Sequence, residues 1–230
     1  MATGKHRRNS LRLKGHDYSD PGEYFVTVCT KYMRCILGTI AGGVMNLSET
    51  GRVVDRCWRE IPEHFKNTRV DVFQMMPNHL HGIVEILESP VRVQHAAPLQ
   101  DRVEYRHSQP LPGALNTIVR SFKSAATKQI HEMNLTHGPL WHRNFHDHII
   151  RDEVDRFFVE RYIDLNPILW DLDANNKNGR KVSVETLGSM LREDHRLQEE
   201  AVGRLKKYEI EYRHWFANVE QEQTKLVSKT

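Results

Sequence analysis

The stretch Met76-Pro77-Asn78-His79-Leu80-His81-Gly82-Ile83-Val84-Glu85-Ile86 constrains this chain more than any other. Pro77-Asn78 is a tight-turn signal, and the run after it is short, apolar and suited to a strand, in which successive side chains alternate between two faces. Leu80, Gly82, Val84 and Ile86 then point into a core, and His79 and His81 stand side by side on the other face. Two imidazoles so placed can hold one divalent ion. They can equally be ordinary histidines on a half-buried strand, and with 14 His in the chain spacing alone does not choose.

The neighbouring segments supply the rest of a fold. Residues 24–30, Tyr-Phe-Val-Thr-Val-Cys-Thr, are β-branched and aromatic behind the turn Asp20-Pro21-Gly22, and form a first strand. Gly42-Gly43 marks a loop, and Ser48 is an N-cap for an amphipathic helix through Leu47, Gly51, Val54, Trp58, Ile61 and Phe65, kinked or restarted at Pro62. Residues 70–76 alternate as a second strand and make a hairpin with the histidine strand. Residues 114–133 form a helix whose apolar stripe is Leu115, Ile118, Val119, Phe122, Ala126 and Ile130, with Arg120, Lys123 and Lys128 off that stripe. Residues 145–151 form a further strand. A helix starting near Asp152 carries Val154, Phe157, Phe158, Tyr162 and Leu165 and ends at Asn166-Pro167, since proline disfavours the helical region in the residue before it.

This order predicts an α+β fold: a ferredoxin-like β-α-β-β-α-β core with an antiparallel-rich sheet and its helices on one face. The histidines would lie on a central strand, facing away from those helices, on a sheet face left open for a large ligand. Three regions flank or interrupt the core. Residues 1–20 are an arm in which Lys5, Arg7, Arg8, Arg12 and Lys14 precede residue 17 without an acid; it is either attracted to polyanions or simply solvated. Residues 88–113 carry four prolines and no clear period, and read as a flexible, substrate-facing insertion. Residues 174–230 are a linker followed by a helical extension, in which Ala201, Leu205, Tyr208, Tyr212, Trp215 and Val219 keep an amphipathic spacing. The domain proper is 21–173.

Composition excludes several classes. Of the 230 residues 39% are hydrophobic and 27% charged, enough for a core beneath a charged surface. No apolar run approaches the roughly 18 residues of a membrane span, and the basic N-terminus has no apolar segment behind it, so no secretory signal is expected. Cys29, Cys35 and Cys57 form no C-x-x-C pair and read as reduced thiols, which points to the cytoplasm. The net charge of +3 is only weakly basic.

Tyr162 and Asn166 are four residues apart on one helix face. An amide oxygen there can complete a site begun by two histidines and bring the hydroxyl close to whatever that site holds, although either residue alone is more commonly core or helix stop. Taken together, these pieces resemble the single-tyrosine HUH (His-hydrophobic-His) transposases, and within them the REP-associated tyrosine transposase branch. The resemblance runs from residue 11 to about residue 173. It rests on Leu11-Arg12-Leu13-Lys14-Gly15-His16-Asp17-Tyr18, Gly22-Glu23-Tyr24-Phe25-Val26-Thr27, Met76-Pro77-Asn78-His79-Leu80-His81-Gly82, Ile118-Val119-Arg120-Ser121-Phe122-Lys123-Ser124, His148-Ile149-Ile150-Arg151 and Tyr162-Ile163-Asp164-Leu165-Asn166-Pro167 with Trp170. A lone H-x-H is weak; these motifs in this order are specific.

The resemblance implies a metal-dependent single-stranded DNA endonuclease and strand transferase acting on hairpins formed by REP-like palindromes. Tyr162 would be the nucleophile of a covalent 5′-phosphotyrosine intermediate, and His79, His81 and Asn166 the ligands of Mg²⁺ or Mn²⁺. It implies a monomer more than a homodimer and a place in the cytoplasm at the nucleoid. Arg120, Lys123 and Lys128, with Arg12 and Lys14 of the arm, are candidates for contacts to the DNA backbone. The group that takes the tyrosine proton is left unassigned, Asp147 and His148 included. The alternative is a hairpin-DNA-binding protein that does not cut, with a regulatory or genome-organising role. An unrelated metallohydrolase fits poorly, because Gly82-Ile83-Val84 follows the H-x-H pair where further ligands would be needed.

Overall fold

A computed structural model of the chain describes residues 16–88, 113–173, 176, 178, 179 and 210. In chain order the strands are β1 (Gly22–Cys29), β2 (Gly38–Ala41), β3 (Val44–Leu47), β4 (Thr68–Arg69), β5 (Phe73–Met75), β6 (His79–Ile86) and β7 (His146–Ile150). The helices are α1 (Glu49–Arg59), α2 (Ile61–His64), α3 (Leu115–Glu132) and α4 (Glu153–Leu165), with short 3-10 turns at Lys31–Met33 and Trp170–Leu172. Arg12 and Lys14, most of the 88–113 insertion and the helix expected from Ala201 lie outside the described residues.

Residues with β-branched and aromatic side chains line up where the pattern places them. β1 and β6 pair antiparallel along their full length, from Gly22 opposite Ile86 to Cys29 opposite His79. β7 flanks β1, and β4 and β5 flank β6, so the sheet runs β4/β5, β6, β1, β7, all antiparallel. With β4 and β5 counted as one interrupted strand, this is the ferredoxin-like order. The expected second strand is broken because residues 70–72 face only Ile83 and Val84 between two paired stretches, a bulge. The hairpin of β2 and β3, turned at Gly42 and Gly43 with φ of 59° and 75°, is inserted ahead of α1 and was not anticipated.

The two core helices lie on one face, as expected. Tyr24, Val26 and Val28 of β1 and Leu80, Val84 and Ile86 of β6 pack against Val53, Val54, Cys57 and Trp58 of α1 and the whole predicted stripe of α3. Ser48 caps α1, its Oγ accepting from the Gly51 N–H at 3.0 Å. Pro62 opens the separate helix α2 near its N-terminus, where a missing N–H costs nothing.

The opposite face is not open. α4 covers it, burying Phe158, Val159, Tyr162 and Ile163 against Phe25, Ile83 and Ile150. The stripe expected on α4 is therefore rotated: Val154 and Phe157 are about half exposed. The docked face is the one that begins at Asp155, whose Oδ2 lies 3.0 Å from His148 Nε2 and accepts from the Arg151 N–H at 3.2 Å. A polar anchor at the first turn, absent from any count of apolar residues, selects which side of the helix faces the sheet.

Gly82 lets α1 approach β6. A Cβ at this position would stand 2.5 Å from Trp58 Cζ2 and 3.0 Å from Phe73 Cβ, closer than carbon atoms pack. Gly82→Ala is expected to destabilise the fold by about 1–3 kcal/mol, against the small gain that replacing a strand glycine ordinarily brings. Urea denaturation checks this, and the penalty shrinks in a Trp58→Phe background if the indole is the obstacle.

Candidate active site

β6 starts at His79, so the H-x-H pair sits at the end of a central strand, on the face that α4 covers. Both imidazoles are fully buried. His79 Nδ1 lies 2.7 Å from Asn78 Oδ1, which only an Nδ1–H can satisfy, so the lone pair of His79 is on Nε2. His81 Nδ1 lies 2.8 Å from Thr27 Oγ1, the residue directly across the ladder. The two Nε2 atoms then face each other at 2.9 Å. Burial makes charge on either ring unfavourable. It lowers His79 to about 3. Burial, with the like charges that His79 and His146 would carry, holds His81 well below the usual imidazole range, and a hydrogen bond from its ring to Asn166 opposes the shift.

Two neutral imidazoles whose ring nitrogens converge either share a proton or share a cation. Adjacent ligands about 2.1 Å from one ion at right angles are about 3 Å apart, and a ring N–H···N hydrogen bond has the same length, so the observed 2.9 Å fits either arrangement. Among the described residues no three His, Cys, Asp or Glu side chains gather in a way that could hold a metal, so an ion on this pair would need a third donor of another residue type.

α4 brings that type. Tyr162 is buried, its ring 5.3 Å from the His81 ring and 6.0 Å from Phe25, both near-perpendicular or tilted contacts. Asn166, the C-cap of α4, donates Nδ2–H to Tyr162 O at 2.9 Å. Its hydrogen bond to His81 favours the protonated ring, so the amide oxygen accepts there. Trp170, just beyond, sets its ring 6.2 Å from His79. The structure thus brings His79, His81, Tyr162 and Asn166 together within one chain.

It does not bring the basic candidates to them. Arg120 and Lys128 are exposed on α3, with the sheet between them and the histidines, and Lys128 is 3.9 Å from Glu132. Lys123 directs Nζ to the carbonyls of His142 and Asn144, both at 2.9 Å, and burial lowers it to about 8. That lysine ties α3 to the loop before β7. Pattern analysis also passed over Thr27, Asn78 and His146. His146 lies across from Thr27 on β7, so His81, Thr27 and His146 form one cross-strand row. The alternation His146-Asp147-His148 was the available signal; its register against β1 was not.

No family model matches the chain. An uncharacterized protein of Haemophilus influenzae is 41% identical to it over 170 residues, which is 74% of this chain and 93% of that protein. The chain belongs to the family of that protein. Among solved structures, a REP-associated tyrosine transposase bound to a REP hairpin superposes with a TM-score of 0.47 at 15% identity, over 70% of this chain and 73% of the other. A provisionally assigned transposase of Deinococcus radiodurans R1 gives a TM-score of 0.35 at 17% identity, over 66% of this chain and 96% of the other. Both likenesses are remote, and the hairpin belongs to the complex in which it was seen.

The buried imidazoles make stability depend on pH. In the unfolded chain a histidine protonates below about 6.5, whereas folded His79 does so only near about 3. Between those values the unfolded state binds more protons, so stability is complete above pH 6.5 and falls as the pH drops. From pH 7 to pH 5, His79 alone accounts for about 2 kcal/mol. Thermal melts of EDTA-treated protein should show a lower Tm at pH 5 than at pH 7, and His79→Gln should show a smaller decline.

Proposed function

We propose that the chain is a metal-dependent, single-stranded DNA nicking and joining enzyme that acts through a covalent 5′-phosphotyrosine intermediate on Tyr162. One observation carries the proposal: α4 seats Tyr162 and Asn166 against the converging nitrogens of His79 and His81. The motif resemblance supplies the reaction class and the hairpin form of the DNA.

His79, His81 and Asn166 would hold a divalent cation, Mg²⁺ by cellular supply or Mn²⁺ by the preference of imidazole. Such an ion acts as a Lewis acid on a phosphodiester. Asn78 and Thr27 hold the outer nitrogens of the two rings and so fix their orientation. The Tyr162 oxygen attacks phosphorus, the bond to the 3′ oxygen breaks, and that oxygen leaves as a hydroxyl after taking up a proton. The phosphotyrosine keeps the bond energy, so the free 3′ hydroxyl can later reverse the step and join strands. Because all three donors are neutral, the site favours a cation that arrives with an anionic phosphate.

A non-cutting hairpin binder remains the competing function, and one feature favours it: Tyr162 and both imidazoles are buried. A single experiment separates the two. A labelled DNA hairpin with a single-stranded flank is incubated with the protein and Mg²⁺ or Mn²⁺, and SDS-stable adducts are scored. The nuclease gives an adduct that EDTA and Tyr162→Phe abolish and that His79→Ala, His81→Ala or Asn166→Ala reduces at least about tenfold. An adduct that survives Tyr162→Phe refutes the assignment of the nucleophile; tight binding without any adduct establishes the binder.

A further inference from the structure

The end of the sheet where β6 begins is a continuous basic rim. β1 ends at Cys29 opposite His79, and the turn that follows is tied to the loop before β7: Lys31 N–H donates to Leu140 O at 2.7 Å, and His142 N–H donates to Cys29 O at 2.9 Å. The rim comprises residues 29–35 and 137–146, and neither segment contains an Asp or a Glu. Lys31, Arg34 and the exposed Arg143 stand there with the aromatic residues Tyr32 and Phe145. The arrangement borders the site directly, because the Thr30 N–H donates to Asn78 O at 2.9 Å, next to His79.

The turn is also strained. Tyr32 and Met33 both adopt the left-handed region, with φ of 58° and 50°, where residues with a Cβ rarely sit. Several contacts impose it. Met33 is buried, Thr30 Oγ1 donates to Arg34 O at 2.9 Å, and Arg34 reaches Lys31 O at 3.3 Å and Pro139 O at 3.0 Å. Its result is that Tyr32 is left 48% exposed, with Lys31 Nζ 4.8 Å from its ring centroid. An aromatic ring held outward by backbone strain, beside cations, suits an unpaired base and its phosphates.

We propose that this rim is the track for the single strand entering the site, with Tyr32 stacking on one base and Lys31 and Arg143 contacting the phosphates. The proposal deepens the DNA function above and rests on it for the identity of the ligand. The test is fluorescence anisotropy with the full chain in EDTA, so that binding is read without cleavage. The probes are a DNA hairpin with a single-stranded flank and a blunt duplex of equal charge. Tyr32→Gly should keep or raise the Tm, since glycine adopts positive φ freely. It should weaken binding of the flanked hairpin roughly tenfold without changing its salt dependence, and Tyr32→Trp should restore the affinity. Lys31→Ala with Arg143→Ala should instead lower the slope of log K against log salt by about 1.4, two single-strand contacts at about 0.7 each.

Native affinity in both variants overturns the proposal, as does duplex binding equal to that of the flanked hairpin, or no binding of the flanked hairpin by the native chain. Adduct formation with Mg²⁺, scored in parallel, keeps the two proposals apart. Adducts together with unaltered binding by the rim variants remove the track and leave the nuclease. Binding that depends on the rim without adducts removes the nuclease and leaves the track.

Discussion

Everything at the site depends on β6 being buried on both of its faces. Leu80, Val84 and Ile86 are enclosed by α1 and α3, and His79 and His81 are enclosed by α4. Apolar side chains tolerate that without conditions. Buried imidazoles need partners for every ring nitrogen, because an unpaired polar group away from water costs several times a typical net hydrogen bond. Asn78, Thr27 and Asn166 meet that need from three elements, the turn before β6, the neighbouring strand and the end of α4. The polar row is thus a condition of the fold as well as the candidate chemistry, and a change in any partner alters both.

α4 is the second dependent part. Its anchor is the contact between Asp155 and His148 at its first turn, and two turns later the same face presents Tyr162. Arg156 adds an ion pair with Glu23 on β1, on the edge of the same face. The helix is therefore held by polar contacts at its start and by ring packing at its middle. Asn166, at its end, faces His81 only because the earlier contacts set the rotation.

Much of the fold was legible in the chain. The six-residue apolar stripe of α3 and the Ser48 cap each express a local rule, and each stands where that rule places it. α4 does end at Asn166, but Asn166 itself keeps helical angles (φ −55°, ψ −44°), so exclusion of the helical region before Pro167 is not what ends it. The hairpin leading into His79 followed from Pro77-Asn78, although the bulge at residues 70–72 did not, since its alternation looks unbroken in sequence. The stripe of α4 misled for a definite reason: Val154 and Phe157 are apolar and correctly spaced, yet the polar contact between Asp155 and His148 outweighed them. Lys123 misled similarly. A lysine beside an apolar stripe reads as solvated until a neighbouring loop offers it two carbonyls.

By itself the sequence determined that His79 and His81 share a face opposite Leu80 and Val84, because strand side chains repeat every two residues whatever the strand packs against. It also determined that Tyr162 and Asn166 lie one helical turn apart. Tertiary structure alone decided that these two pairs meet, that Thr27 stands across from His81 with His146 beyond it, and that the covered face is closed by α4. Those outcomes depend on the register between β1, β6 and β7 and on the rotation of a helix some eighty residues from the histidines. Contacts between distant segments set both, and no local period records them.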